Sequence, residues 1–272
     1  MKPPERRRRI LEFLHQTARV TVDELSENLN TSRETVRRDL ALLSQEGLLR
    51  KIHGGATTTQ SNQSAQESPL GERRANARGE KIRIGKTAAT LFKPGDSLLI
   101  NCGTTTIFFA EQLATRGPFT VITNATLVAQ EMWNSADRGQ THLLGGSYFG
   151  DGFETLGPQV VEQIQKVYAD HAVITVGGIS DSGTFMDYNV DQAYVARTMI
   201  ECARSVTVLA DSTKLHRNAL FQVCGPEKID RLITDKQPDA VLDSLLKLAG
   251  VEIIIAKTAE HYPRSSMAEV QH

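Results

Sequence analysis

The sequence predicts an α/β protein made of a small N-terminal domain and a larger domain with a mostly parallel β-sheet. Three observations lead to this fold class. The first 58 residues carry three helical patterns and one hairpin pattern. A polar stretch, TTTQSNQSAQES, follows and contains no aliphatic side chain larger than alanine. From about residue 80, helical patterns alternate with short apolar runs, which is typical of a parallel sheet covered by helices.

Composition is that of an ordinary globular protein, with 40% hydrophobic and 23% charged residues. The net charge is -1, but residues 1–58 carry +3 and the remainder carries -4. Nucleic-acid binding at one end would produce this asymmetry, and chance also produces it. No apolar run approaches the roughly 18 residues of a membrane span, and the basic N-terminus lacks the apolar core of a secretion signal. We therefore expect a cytoplasmic protein without a membrane partner.

Cysteine usage argues against a disulfide framework. Cys102, Cys202 and Cys224 are odd in number, far apart and without the Cys/His spacing of a zinc site. We expect reduced thiols, no metal and no cofactor.

The N-terminal domain is predicted to contain three helices and a hairpin. The first helix covers residues 5–16, and the second follows a capping box formed by Thr21 and Glu24. The third helix runs from about residue 32 to residue 45. Residues 48–57 contain a Gly-Gly turn signal and predict the hairpin.

The third predicted helix separates an apolar stripe from a basic face. The stripe consists of Val36, Leu40 and Leu43. The outward residues of its first two turns are Ser32, Arg33, Thr35, Arg37 and Arg38. Arginine binds guanine edges and phosphates bidentately, so this face fits the reading helix of a helix-turn-helix in the DNA major groove. A solvated face on an ordinary helical bundle is the alternative interpretation.

The larger domain is predicted from seven apolar runs with helices between them. The strand candidates are SLLI, FTVIT, THLL, HAVITV, SVTVLA, RLIT and VEIII, and a charged helix over residues 71–91 precedes them. In parallel sheets, ligands bind at the carboxyl ends of the strands, where loops lead into helices.

Three of these loops carry groups suited to a phosphate. They contain Gly103, Thr104 and Thr105, then Asn124, and finally Asp211 and Lys214. A helix N-terminus with threonines presents N–H groups to an anion, and a lysine supplies a cation. The alternatives are an ordinary helix cap for the first loop, an Asx cap for Asn124 and a solvent-exposed Lys214. No P-loop and no dinucleotide fingerprint is present.

The N-terminal domain closely resembles the winged helix-turn-helix of the DeoR family of bacterial transcriptional regulators. The matching residues are Thr35-Val36-Arg37-Arg38-Asp39-Leu40, Gly47, Arg50 and His53-Gly54-Gly55-Ala56. The resemblance implies that this domain binds operator DNA, with Arg50, Lys51 and His53 as contacts on the wing. It also implies a structural role for Asp39, paired with a neighbouring arginine.

The larger domain resembles the DeoR-type sensor domain, which is similar in fold to ribose-5-phosphate isomerase and binds phosphorylated sugars or related metabolites. The matching motifs are Gly103-Thr104-Thr105, Thr123-Asn124, Gly145-Gly146, Gly177-Gly178-Ile179 and Asp211-Ser212-Thr213-Lys214. Asn101-Cys102 replaces the Asp-Ser or Asp-Ala of many relatives, and Asp191 or Gln192 replaces a usual glutamate. The resemblance therefore implies a ligand class but not one particular sugar phosphate.

The sequence patterns and the resemblance together predict four segments. Residues 3–58 form the winged helix-turn-helix, 59–74 a linker, 75–256 the sensor domain and 257–272 a tail. The function expected is a homo-oligomeric transcriptional regulator, most often a repressor, which acts on carbohydrate or polyol genes and is controlled by a phosphorylated sugar or polyol. The alternative is a sugar-phosphate isomerase-like enzyme with a DNA-binding head, in which Asp211 and Lys214 would act as acid and base. We predict no catalytic residues, because no general base can be assigned.

Overall fold

The computed structural model describes residues 3–17, 19–45, 48–52, 54–58 and 70–257. The chain divides into two compact units, Met1–Ser64 and Ala65–His272, and each is described by itself. Several predictions lie outside the described residues: the wing residue His53, the linker over 59–69 and the tail from 258 onward.

The N-terminal unit contains three helices and a three-stranded antiparallel sheet of order β1-β3-β2. Its elements are α1 (Pro3–Thr17), β1 (Arg19–Thr21), α2 (Val22–Asn28), α3 (Arg33–Gln45), β2 (Leu49–Ile52) and β3 (Gly55–Thr58). The three helices and the hairpin agree with the prediction. The short strand β1 was not predicted, because three residues carry too little pattern.

A single apolar core holds this unit together. The predicted stripe of Val36, Leu40 and Leu43 is buried in it. The capping box is confirmed, since the Glu24 amide donates to the Thr21 hydroxyl and the Thr21 amide donates to the Glu24 carboxylate. Gly55 is required where β1 meets β3, because a Cβ atom there would lie 2.1 Å from the carbonyl oxygen of Val20.

The larger unit begins with α4 (Leu70–Ala75) and α5 (Arg78–Ala89). Its remaining helices are α6 (Thr104–Leu113), α7 (Thr126–Trp133), α8 (Pro158–Ile164), α9 (Val190–Glu201) and α10 (Ala240–Leu248). Its strands are β4 (Ser97–Ile100), β5 (Thr120–Thr123), β6 (Gln140–Leu143), β7 (Ser147–Phe149), β8 (Glu154–Leu156), β9 (Ala169–Ile174), β10 (Gly178–Ile179), β11 (Phe185–Asp187), β12 (Ala203–Leu209), β13 (Phe221–Cys224), β14 (Arg231–Thr234) and β15 (Glu252–Ile255).

Seven of these strands form one sheet, in the order β15-β14-β12-β9-β4-β5-β6. Every neighbouring pair in it is parallel. Each of the seven predicted apolar runs coincides with one of these strands, so the predicted α/β fold class with a parallel sheet is confirmed. The strand order changes direction between β4 and β9, which creates the switch point where ligands bind in such sheets.

The sequence did not predict two small antiparallel sheets or the helices α8 and α10. The small sheets are the hairpin β7–β8 and the group β10-β11-β13. Their strands have only two to four residues, too few for an alternating pattern to emerge. They lie in the connections that follow β6, β9 and β12 along the chain.

The linker predicted over residues 59–74 is corrected at its C-terminal end. Residues 70–74 belong to α4, whose Leu70 is buried in the same apolar core as helix α6. The single charged helix predicted over 71–91 is in fact two helices, because Ala77 adopts a left-handed backbone conformation with φ of 50°. Burial of Leu70 and the contacts of Arg74 with α6 hold α4 against the domain, although its composition is polar. Among the residues that the structure describes, no helix is both long and apolar enough to cross a membrane.

Candidate functional sites

The basic face of α3 lies where the sequence places it. The side chains of Arg33, Arg37 and Arg38 are 64%, 61% and 79% exposed. Ser32 is also exposed, and Thr35 is half-buried. The face therefore presents three guanidinium groups from the first two turns of the helix that follows the turn of a helix-turn-helix.

Exposed carboxylates accompany these arginines, and the sequence reasoning did not single them out. The Arg33 Nε atom lies 2.7 Å from Asp23 of α2. Arg38 and Arg37 both approach Glu34, at 3.5 and 4.0 Å. Because exposed ion pairs contribute at most about 1 kcal/mol, phosphates can replace these carboxylates readily.

Ser32 and Thr35 form hydrogen bonds with each other at the start of α3. The Ser32 hydroxyl accepts a hydrogen bond from the Thr35 amide at 3.2 Å, and the two hydroxyls lie 2.8 Å apart. Ser32 therefore caps α3, which fixes the start of the basic face.

Asp39 has the structural role expected of it. Its carboxylate is buried and accepts from Arg6 at 2.5 Å and from Arg7 at 3.3 Å, so it joins α1 to α3. On the wing, Lys51 of β2 is exposed, and Gly54 makes the turn with φ of 81°. Arg50 lies in β2, but its side chain is outside the described part of the structure.

A polar cleft lies at the carboxyl ends of β4, β5, β9 and β12, on both sides of the switch point. It encloses about 430 Å³, a volume that includes its open mouth. Its lining residues are Arg73, Asn101, Cys102, Thr104, Asn124, Glu154, Thr175, Val176, Gly177, Asp187, Gln192, Val195 and Lys214. The lining thus combines two cationic side chains, two carboxylates and several amides and hydroxyls, a mixture suited to a small polar anion.

Three of the six predicted effector residues line this cleft: Thr104, Asn124 and Lys214. The other three, Gly103, Thr105 and Asp211, are absent from its lining. Thr105 is only 2% exposed. Gly103 packs closely against a residue of the cleft lining, because a Cβ atom there would lie 2.0 Å from the Thr175 methyl group. Direct contact of these three residues with an effector stays a prediction.

Asp211 is buried, and its contacts lie with residues outside the cleft lining. One carboxylate oxygen accepts from the Thr213 amide at 3.0 Å and from the Thr213 hydroxyl, which caps the short turn Ser212–Lys214. The other lies 3.7 Å from the Lys81 ammonium. Asp211 therefore positions the turn that carries Lys214.

The loop before α6 is held by side-chain hydrogen bonds. The Asn101 amide group donates to the Thr175 carbonyl and its oxygen accepts from the Thr175 amide, both at 2.9 Å. This pair of bonds locks the ends of β4 and β9 together across the switch point. The Ile107 amide makes the first backbone hydrogen bond of α6, to Gly103. The N–H groups of the preceding threonines therefore have no acceptor within the helix.

Asn124 does not cap α7, so the Asx-cap alternative is wrong. Its Nδ2 atom donates to Glu154 and to the Thr155 carbonyl, each at 3.0 Å. Its Oδ1 atom is buried and has no hydrogen-bond partner among the residues that the structure describes. Because buried polar atoms are nearly always hydrogen-bonded, this atom is a candidate acceptor for a bound molecule or an ordered water.

Three charged residues of the cleft were missed in the sequence, and Gln192 was not chosen as an effector residue. Arg73 comes from α4, Glu154 from β8, Asp187 from β11 and Gln192 from α9. Gln192 donates to Glu154 at 2.5 Å and so belongs to the Asn124 network. Only Gln192 had a signal in the sequence, as one of two candidates at a departure from the family pattern.

A buried lysine connects the two cationic sides of the cleft. The Lys81 ammonium donates to the backbone carbonyls of Arg73 and Asn76, the second at 2.7 Å. The same ammonium pairs with Asp211, which caps the turn that carries Lys214. Lys81 thus holds α4 and that turn in one arrangement. Within the described ranges, no group of three or more His, Cys, Asp or Glu residues could hold a metal ion.

Comparisons with known proteins agree with both units. Two family models match: a DeoR-like helix-turn-helix domain over residues 6–62 and a DeoR C terminal sensor domain over residues 76–236. The HTH-type transcriptional repressor CsqR of Escherichia coli K12 is 30% identical over 90% of this chain and 93% of that protein. The HTH-type transcriptional repressor GlcR of Bacillus subtilis 168 is 33% identical over 96% and 99%.

Among solved structures, ribose 5-phosphate isomerase A of Methanocaldococcus jannaschii matches with a TM-score of 0.38 and 14% identity, over 52% of this chain and 55% of that one. That likeness is partial. The family models and relatives cover the basic reading helix and the cleft domain alike, and the chain belongs to the DeoR family of transcriptional regulators.

Proposed function

We propose that the chain is a repressor of carbohydrate or polyol genes and that a phosphorylated sugar or polyol bound in the cleft controls its operator binding. The observation that carries this proposal is the combination of cations and hydroxyl-binding groups at the switch point of the sheet. The names of the relatives CsqR and GlcR support the repressor assignment.

The polar groups of the cleft fit both the phosphate and the hydroxyl groups of a phosphorylated sugar or polyol. Arg73 and Lys214 provide positive charge for a phosphate, and the N-terminus of α6 adds backbone donors next to Thr104. Glu154 and the unsatisfied Oδ1 atom of Asn124 accept hydrogen bonds from sugar hydroxyls.

For DNA, we propose that the reading contacts come from the outward face of α3. They would be made by Ser32, Arg33, Thr35, Arg37 and Arg38, with Arg50, Lys51 and His53 of the wing on the neighbouring backbone. The exposure of the three α3 arginines supports this assignment. Because their ion pairs with carboxylates are exposed and weak, these arginines can bind DNA phosphates instead.

Control requires that the effector bind the DNA-competent and incompetent states with different affinity. We propose a homo-oligomer, either a dimer or a tetramer. In it, paired N-terminal units bind repeated half-sites of the operator. Light scattering on the purified chain tests this assembly.

The central experiment is a titration of the full chain against labelled double-stranded DNA selected from a random pool, across a salt series, with and without a panel of sugar phosphates. We expect steeply salt-dependent, sequence-selective binding, because phosphate contacts release counterions. One compound of the panel should weaken that binding. Sequence-selective binding that no phosphorylated compound alters would contradict the effector class while leaving DNA recognition intact.

We further propose that the cleft binds its ligand without converting it. Asp211, the acid or base of the enzymatic alternative, is engaged by Lys81 and Thr213 outside the cleft lining. A turnover assay with the same sugar phosphates tests this directly, and product formation that depends on Lys214 would contradict it.

A further inference from the structure

Glu34 lies in the middle of the outward face of α3. It belongs to the first turn, and its side chain is 64% exposed. Successive helical residues are separated by about 100°, so Glu34 and Arg38 are directly opposite Val36 of the buried stripe. A carboxylate thus stands at the centre of a face that is otherwise cationic.

Such a carboxylate is repelled by DNA phosphates, so it weakens DNA binding unless a hydrogen-bond donor on the DNA or the protein offsets this repulsion. Its partners in the structure are Arg38 at 3.5 Å and Arg37 at 4.0 Å, both exposed and therefore weak pairs. By contrast, the other exposed carboxylate near this face, Asp23, pairs at 2.7 Å with Arg33 and joins α2 to α3. Glu34 makes no such connection between helices in its described ion pairs.

The hydrogen-bonding groups of the major groove limit which base atoms Glu34 can contact. An ionised carboxylate only accepts hydrogen bonds, and the base donors in that groove are the amino groups of cytosine and adenine. Adenine carries an acceptor, N7, beside its amino group, which repels the second carboxylate oxygen. Cytosine carries no acceptor there. A guanidinium next to the carboxylate matches the O6 and N7 acceptors of the paired guanine.

We propose that Glu34 is a specificity-determining residue and that Glu34 and Arg38 together read one C·G base pair in the major groove. Glu34 accepts from the cytosine amino group, and Arg38 donates to the guanine edge of the same pair. This inference rests on DNA binding by α3 and adds to it the base pair that one position of the operator must contain.

The test is selection of binding sites from a random duplex pool by the full-length chain and three variants, followed by comparison of base frequencies at each position. The wild type is expected to select one C·G pair that Glu34→Ala no longer distinguishes, a loss of roughly 5- to 150-fold discrimination at that position. Arg38→Ala should relax the same position. Glu34→Gln should weaken the preference for C·G and admit A·T, because an amide binds the adenine edge bidentately while Arg38 still favours guanine.

Glu12→Ala is the matched control. Glu12 forms the same kind of pair, with Arg8 four residues away at 3.5 Å, on α1. Its removal is expected to leave the selected motif unchanged. If Glu34→Ala selects the wild-type motif, or if Glu34→Ala and Arg38→Ala alter different positions, the inference is overturned and DNA recognition stands. A wild-type chain that selects no sequence overturns DNA recognition and the inference together.

Discussion

The ammonium group of Lys81 lies 3.7 Å from the carboxylate of Asp211, and both side chains are almost completely buried. Lys81 also donates to the carbonyl of Arg73, and Asp211 caps the turn that carries Lys214. This ion pair therefore connects the two segments that bring positive charge into the cleft.

Lys81→Met should destabilise the larger domain by about 3–5 kcal/mol, because it leaves the Asp211 carboxylate buried without its cationic partner. The double variant Lys81→Met/Asp211→Asn should lose less, since neither charge remains. The free energy of unfolding from urea titration measures both. Lys86→Met, at an exposed position of the same helix, is the control and should stay within about 0.5 kcal/mol of the wild type. Equal losses for the single and double variants would show that the charges are not coupled.

Arg73→Ala should weaken effector binding roughly 10- to 100-fold, because it removes a charge-assisted contact to the phosphate. Operator affinity without effector should remain unchanged. Titration of the protein–operator complex with the proposed sugar-phosphate effector measures the effect. Arg78→Ala removes the same charge from a residue outside the cleft lining and serves as the control. An unchanged response in Arg73→Ala would exclude Arg73 from the effector site.

Gly103→Ala should disturb the start of α6, because the added Cβ atom would lie 2.0 Å from the Thr175 methyl group. We expect a loss of about 1–3 kcal/mol in the free energy of unfolding. Adding Thr175→Ser removes that methyl group and should restore most of the loss, since the next contacts are at 3.4 and 3.6 Å. Thermal unfolding of the single and the double variant measures this difference in stability. A double variant no more stable than Gly103→Ala would mean that the methyl group is not the cause.

Burial raises the pKa of the Cys224 thiol to about 12. The unfolded chain therefore loses this proton near pH 9, before the folded chain does, so the folded state becomes less stable as pH rises from about 9 to about 12. Cys224→Ala should reduce this decline by up to about 1.4 kcal/mol per pH unit. Urea titrations at about pH 8 and about pH 10.5 measure the difference between the two proteins. Parallel pH profiles would contradict the shifted pKa.

Regular, buried elements could be predicted from the sequence. Five strands of the sheet, β4, β5, β9, β12 and β14, are largely buried apolar runs, and such runs are visible without knowing their neighbours. The edge strands β6 and β15 are exposed or half-buried, and only their apolar residues marked them in the sequence. The hairpin β7–β8 was missed because the side chains of Ser147–Phe149 are exposed and its strands have three residues each. Its position depends on contacts such as the hydrogen bond from the Thr155 hydroxyl to the Leu144 carbonyl.

The candidate cleft was predicted only in part, for a similar reason. Thr104, Asn124 and Lys214 directly follow strands of a parallel sheet, whose carboxyl ends meet at one edge. Arg73 reaches the same cleft from a segment predicted as linker, because Leu70 and the Arg74–Glu111 ion pair dock α4 on the domain. Such docking depends on the shape of the partner surface and leaves no periodic signal.

The sequence by itself determined the two-part organisation, the parallel sheet and the basic face of α3, since these follow from local periodicity and residue chemistry. Only the tertiary structure decided which polar residues meet. It places Asp211 against Lys81 instead of in the cleft, and it turns Asn124 toward Glu154 instead of onto the end of α7. The physical reason is that a buried polar group must find its partner among residues brought close by packing, often far away in sequence.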